Sequence, residues 1–278
     1  MRKISLALLC AALFSVPAMA QNLKTPVASP MQTIKQDFGL SSVELSYSRP
    51  AMKGRAIFGD LVPFGKVWRT GANQATTITF GEDVTIGGTQ VKAGKYGILS
   101  IPGQSEWTII LTKQTNVTSP AAYKEDQDVV RVTAQVNQLP FPIQSFMMLF
   151  ENITANSMDL MILWDQTAVA LPITTEIDSK VMTQIDQLMK GEKPPYFQAA
   201  MYYLENGKDL NKTLPWFEKA MAENPKAFWV AHNYANALAK LGKKKEAAAA
   251  AEKSMALAKE AKNDDYVALN QKLLATLK

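Results

Sequence analysis

The sequence predicts an α+β protein in two parts: an antiparallel β-sandwich or flattened barrel, then a unit of repeated α-helices. Three observations carry that expectation. Between Val43 and Ile173, short stretches of strand-forming residues are separated by turn residues, with no helix-length pattern between them. Several alternate apolar and polar side chains, as a strand with one dry and one wet face requires. After Thr175 the apolar residues Ile177, Val181, Ile185 and Leu188 fall at helical spacing, and from Pro194 a helical pattern repeats about every 34 residues.

The chain opens MRKISLALLCAALFSVPAMA, with Arg2 and Lys3, an apolar core too short to span a bilayer, and small residues at Ala18 and Ala20. These are the parts of a secretory signal peptide cleaved near Ala20. The expected organisation is therefore 1–20 leader, 21–175 β domain and 176–278 helical domain, with the mature protein periplasmic or secreted. Cys10 lies inside the leader, so the mature chain has no cysteine and its stability must come from packed cores. Residues 21–180 carry 13 basic and 14 acidic side chains, and residues 181–278 carry 15 and 11. The excess basicity is lysine-rich and lies on predicted helices, where a solvated face is the simplest account. No nucleic-acid motif and no later membrane-length apolar run is present.

In order, Gln21 to Pro30 reads as irregular. Val43 to Ser48 alternates as a strand and stops before Pro50, which has no amide to donate. Tyr47 to Asn73 follows, with Arg49, Lys53, Arg55, Lys66 and Arg69 set among Gly54, Gly59, Gly65, Gly71, Pro50 and Pro63. That density of glycine and proline forbids a regular helix, and Phe58, Phe64 and Trp68 predict a loop docked by its rings. Further strands are expected at Thr76–Phe80, Val84–Ile86 turning at Gly87-Gly88, Lys95–Ile101, Trp107–Thr112, Val130–Val136, Ser145–Asn152, Met158–Trp164 and Ala168–Ile173. Gly191 and Pro194-Pro195 stop the first helix.

The repeat aligns Leu204 with Leu238, Met201 with Ala235, Phe217 with Ala251 and Ala220 with Ser254. With Tyr203, Trp216, Pro225, Tyr234, Gly242 and Ala247, this pattern resembles tetratricopeptide repeats. Thr213 and Ala251 depart from the usual residues, and Pro215 falls at the start of its helix, where a missing amide is harmless. Asp264 to Leu277 reads as a capping helix. The resemblance implies a protein-binding surface on which Gln198, Tyr202, His232 and Asn236 face a groove.

The first part has its own resemblance. Ser48-Arg49-Pro50, Lys53-Gly54-Arg55, Ile57-Phe58-Gly59, Leu61-Val62-Pro63 and Val67-Trp68-Arg69-Thr70-Gly71-Ala72-Asn73 resemble an exported bacterial family, domain of unknown function 2911. Ala93-Gly94, Tyr96, Ile101-Pro102 and Trp107-Thr108 extend the similarity over about Ser29 to Thr174. The resemblance implies export and brings no catalytic residues with it.

The residues themselves favour binding over catalysis. The β domain has no histidine and, once processed, no cysteine, which removes the usual base and nucleophile. A carboxylate pair drawn from Asp60, Glu82, Asp83, Asp126 and Asp128 remains as a hydrolase alternative, and a purely structural assembly role is a third. Asp126-Gln127-Asp128 lacks the glycine and glutamate of a calcium loop and reads as a solvated turn, so no metal or cofactor is expected. The expected ligand is a small anion or sugar held by Arg49, Lys53, Arg55, Trp68, Arg69, Thr70 and Asn73. Arginine forks suit oxyanions, and an indole face suits a sugar ring. The competing expectation is that the arginines pair internally with Glu44, Asp60 or Asp83.

Overall fold

Nine strands, β1 (Met31–Phe38), β2 (Ser41–Ser48), β3 (Thr77–Phe80), β4 (Val84–Ile86), β5 (Thr89–Val91), β6 (Gly94–Ile101), β7 (Glu106–Thr112), β8 (Asp128–Glu151) and β9 (Ser157–Thr174), form one antiparallel sheet. Its order is β1-β2-β3-β6-β7-β8-β9-β4-β5. The computed structural model describes residues 25–277, so the expected leader lies outside the described residues. The chain divides into two units between Thr175 and Glu176, and this sheet belongs to the first.

Two features differ from expectation. Residues 31–38, which no pattern marked as a strand, form the edge strand β1 in register with β2 from Met31↔Ser48 to Phe38↔Ser41. The last four predicted strands are two long ones. β8 runs unbroken through Pro140 and Pro142 because its register with β9 shifts between Gln138 and Ile143, a break where a proline removes no ladder hydrogen bond. β8 therefore serves two neighbours, pairing with β7 through Gln135 and with β9 from Val136 onward. The bridge Ala51↔Ser145 adds a third contact, joining the chain just past β2 to the second half of β8.

The inward faces of the strands supply one core. Leu45, Ile78, Ile98, Trp107, Ile109, Phe146, Leu160 and Trp164 are among its buried members. Tyr47 belongs to it as well. Its hydroxyl accepts from the Met148 amide at 2.9 Å and donates to the Met148 carbonyl at 2.8 Å, tying β2 to β8. On the opposite face of β6 and β7, Leu99 and Ile110 are covered by Val117, with Val67 and Tyr123 alongside. These two strands are thus buried on both sides. The loop before β3 and the segment between β7 and β8 supply the second cover.

The second unit contains α1 (Asp178–Leu188), α2 (Tyr196–Glu205), α3 (Leu214–Glu223), α4 (Phe228–Lys240), α5 (Lys244–Glu260) and α6 (Asp264–Thr276). No helix among the described residues is long and apolar enough to cross a membrane. Pro215 occupies the first turn of α3, where its missing amide has no intrahelical partner to lose. Ala200, Leu204, Phe217, Ala220, Val230 and Ala237 pack α2, α3 and α4 together. Of the positions paired by the sequence repeat, Leu204, Leu238, Phe217, Ala251, Ala220, Ser254 and Ala235 are buried and Met201 is half-buried.

A buried polar chain joins α4, α5 and α6. Ser254 Oγ donates to the Phe228 carbonyl, and Asn270 Nδ2 donates both to Ser254 Oγ and to the Tyr266 carbonyl. With both amide hydrogens committed, Asn270 Oδ1 must accept, so His232 carries its proton on Nδ1, 2.8 Å away. His232 is a packed anchor between α4 and α6.

Candidate ligand-binding site

The Tyr47–Asn73 stretch is ordered by three kinds of contact. Trp68 exchanges backbone hydrogen bonds with Ser100 at 2.7 and 2.9 Å, running alongside β6 beyond the end of β3. The Met52 amide bonds to the Gln144 carbonyl and the Phe146 amide to the Pro50 carbonyl, which fixes the start of the stretch on β8. Ile57 and Val62 are buried in the core as plugs. Gly71 shows why glycine is required at the end. Its φ is +148°, and a Cβ there would meet Thr76 Oγ1 at 3.0 Å and the Ser48 carbonyl at 3.2 Å.

Phe58 and Trp68 enter a cluster with Trp107, Phe146 and Trp164. Trp68 stacks on Trp164 with centroids 5.9 Å apart and planes at 17°, and meets Phe146 edge-on at 5.2 Å. Phe58 meets Trp107 edge-on at 5.0 Å. Two of the three expected anchoring rings therefore dock the loop. Phe64 instead lies half-exposed over Gly59.

Above this cluster lies a cavity of about 370 Å³. Arg55, Lys66 and Arg69 line it together with Trp68, against apolar walls from Pro50, Leu61, Val62, Pro63 and Val67. Ser29, Pro120 and Trp164 complete the lining from distant parts of the chain, a juxtaposition no local pattern signals. Among the described residues, no acidic side chain lines it.

Of the ligand residues read from the sequence, the cavity brings together Arg55, Trp68 and Arg69. Lys66 joins them, although the sequence reading named it only as a loop cation. Arg49, Lys53, Thr70 and Asn73 do not line it. The Thr70 side chain is fully buried with its hydroxyl 2.9 Å from Ser100 Oγ. Asn73 Nδ2 donates to the Ser29 carbonyl, and Lys53 stands exposed at φ 51°.

The partners of the arginines answer the question of internal pairing. None of Arg49, Lys53, Arg55, Lys66 and Arg69 forms an ion pair among the described residues. Of the carboxylates proposed for them, Asp83 pairs with Lys92 at 2.8 Å. The guanidinium groups bond to backbone carbonyls instead: Arg49 Nε to Phe146, Arg55 Nε and Nη2 to Met52 and Ala51, and Arg69 Nη1 to Thr118. These bonds fix the side chains without cancelling their charge. Arg69 Nε and Trp164 Nε1, both on lining residues, are buried without a hydrogen-bond partner.

The segment that supplies Thr118 and Pro120 is itself pinned. Val117 is buried, and Gln114 bonds to the Lys124 amide and the Ala122 carbonyl. Tyr123 donates to Asp128 Oδ2, which also accepts from Arg131 Nε at 2.8 Å, and Arg131 reaches Glu125 at 3.1 Å. Burial, and then the bond to Asp128, push the Tyr123 phenol up to about 12. Burial followed by a carboxylate bond does the same for Tyr202, beside Asp178, and Tyr234, beside Glu218. The unfolded chain ionises these phenols near their ordinary value of 10.0, whereas the folded chain holds their protons to about 12. Their contribution is complete below pH 10 and is lost between about pH 10 and 12. An ultraviolet titration should show a late tyrosine limb that shrinks in Tyr123→Phe; an unchanged limb would contradict this network.

Asp60, Glu82, Asp83, Asp126 and Asp128 are all absent from the cavity lining, and no group of three or more metal-binding side chains occurs among the described residues. In the helical unit, Gln198 and Tyr202 line a depression with Met201, Trp229 and Asn233, while Asn236 lines an adjoining one. The Tyr202 hydroxyl is engaged by Asp178 at 2.9 Å, and His232 is largely buried.

The first unit is thus an antiparallel sheet carrying a basic cavity beneath a glycine-rich loop. The family model for Protein of unknown function (DUF2911) matches residues 29–173, just over half of the chain, and the chain belongs to that family. The matched span begins at Ser29 on the cavity wall and ends in β9. No curated protein and no solved structure matches the chain.

Proposed function

We propose that the protein is an exported, non-enzymatic binding protein whose β unit holds a small anionic ligand in the loop cavity. The observation that carries this reading is the charge state of the loop. Five cationic side chains occur in one short stretch, and three of them line a cavity; among the described residues no carboxylate pairs with the five or lines that cavity. An array of cations without carboxylate partners around one hollow favours an anion, because their fields add there. A sugar platform is the weaker half of the expectation, since Trp68 is enclosed by four other rings.

Export rests on the leader-like start of the sequence. The β unit reads as a flattened barrel or sandwich because Tyr47 and Ala51 reach β8 from β2 across the intervening strands. The helical unit reads as a short tetratricopeptide-like array with a protein or peptide partner along the depressions lined by Gln198, Tyr202 and Asn236. Calorimetric titration of the protein with small organic and inorganic anions tests the central part. Affinity should fall as salt rises from about 0.01 to about 0.15 M, where the screening length shrinks from about 30 to about 8 Å. Binding indifferent to salt and to ligand charge would overturn it.

A further inference from the structure

Building on the anion reading, we propose that the cavity selects an organic oxyanion with an apolar body, its head seated on the Arg69 guanidinium. A guanidinium presents two parallel N–H groups along the edge formed by Nε and Nη2, and this edge matches the two oxygens of a carboxylate or a phosphate ester. The arginines of the loop use that edge differently. Arg55 gives both Nε and Nη2 to the Met52 and Ala51 carbonyls, at 2.9 and 2.6 Å. Arg49 gives its Nε to Phe146. Arg69 is held from the other side, by Nη1 on the Thr118 carbonyl at 2.7 Å, and its Nε is buried with no acceptor. Buried donors in native proteins are nearly always paired, and this orphan belongs to a residue that lines the cavity, so a ligand acceptor would complete it.

The rest of the cavity decides what the oxyanion is attached to. Its volume, about 370 Å³, lies in the range of small-molecule sites, well beyond what one bare oxyanion fills. Pro50, Leu61, Val62, Pro63, Val67 and Trp164 make most of the remaining wall apolar. A ligand with an apolar body removes that surface from water, whereas acetate or inorganic phosphate leaves it wet. Lys66, exposed at the same cavity, adds a positive charge without a fixed geometry to those of Arg55 and Arg69.

The test titrates the whole protein with three kinds of probe. Acetate and inorganic phosphate carry a head alone, 2-naphthoate and phenyl phosphate carry head and body, and 2-naphthamide carries a body without charge. The proposal expects the head-and-body probes to bind at least tenfold tighter than either other kind. Arg69→Lys, which keeps the charge and removes the fork, should weaken 2-naphthoate at least tenfold. Leu61→Ser, at an exposed wall position, should weaken 2-naphthoate severalfold while leaving inorganic phosphate unchanged. If inorganic phosphate binds as tightly as phenyl phosphate, the apolar-body inference fails and the anion reading survives. If 2-naphthamide binds as tightly as 2-naphthoate, or if no probe binds, both fail. If Arg69→Lys retains full affinity, the fork assignment is wrong.

Discussion

Arg69→Gln should lose between about tenfold and a hundredfold in affinity for a bound organic anion while remaining folded. The range follows from the strength of hydrogen bonds to charged groups, about 1.5–3 kcal/mol, at about 1.4 kcal/mol per tenfold. Among the described residues the side chain makes one hydrogen bond to the fold, from Nη1 to the Thr118 carbonyl. Removing it costs stability only about 1 kcal/mol, the ordinary value of an exchanged hydrogen bond. A glutamine amide at the same place retains a donor but no charge and no fork. Binding and melting measured together on one preparation separate the two roles: a large fall in melting temperature with unchanged affinity would make Arg69 a structural clasp. Lys66→Gln makes the complementary comparison, since Lys66 is exposed and forms no ion pair among the described residues.

Phe146→Ala should destabilise the β unit by about 3–5 kcal/mol, the cost of truncating a buried phenylalanine in a packed core. Phe146 is fully buried, and its ring meets Tyr47 at 5.8 Å, Trp68 at 5.2 Å and Trp164 at 5.7 Å. Its amide bonds to the Pro50 carbonyl and its carbonyl accepts from Arg49 Nε, so the void would open where the loop is docked. Ligand affinity should fall together with stability in this variant, unlike the pattern expected for Arg69→Gln. Phe141→Ala is the control. Phe141 is 61% exposed at the register shift of β8, and its truncation should stay within about 0.5 kcal/mol of neutral. Denaturant melts of the two variants decide the matter, and equal effects would contradict the core assignment.

Much of the architecture was legible because burial imposes a period on sequence. β2 shows this best, with Val43, Leu45 and Tyr47 buried and Glu44 exposed between them. β1 was missed for the opposite reason. Its inward positions are Gln32, Ile34, Gln36 and Phe38, and two glutamines on the covered side erase the apolar alternation. The predicted strands stop at Val136 and resume at Ser145, with Pro140 and Pro142 in the gap; a proline in a continuous ladder ordinarily loses a hydrogen bond, and only the register shift makes the long β8 possible.

The site was legible as a place and less so as a set of residues. Composition located the loop, since glycine, proline and rings together are informative without any partner. The fate of each cation depended on contacts distant in sequence. Arg69 meets Thr118, Arg49 meets Phe146, and the cavity closes on Trp164 and Pro120. Thr70 and Asn73 read as donors for a ligand and are turned toward Ser100 and Ser29 by their left-handed backbone, at φ 52° and 55°.

The most direct measurement is the proton–nitrogen resonance of Arg69 Nε, assigned by its loss in Arg69→Lys, followed as 2-naphthoate is added. An oxyanion paired with that N–H should move its resonance downfield and slow its exchange with water, with half-saturation matching the calorimetric affinity, while Arg55 Nε stays nearly fixed on the Met52 carbonyl. A resonance that does not respond while the probe binds would contradict the account.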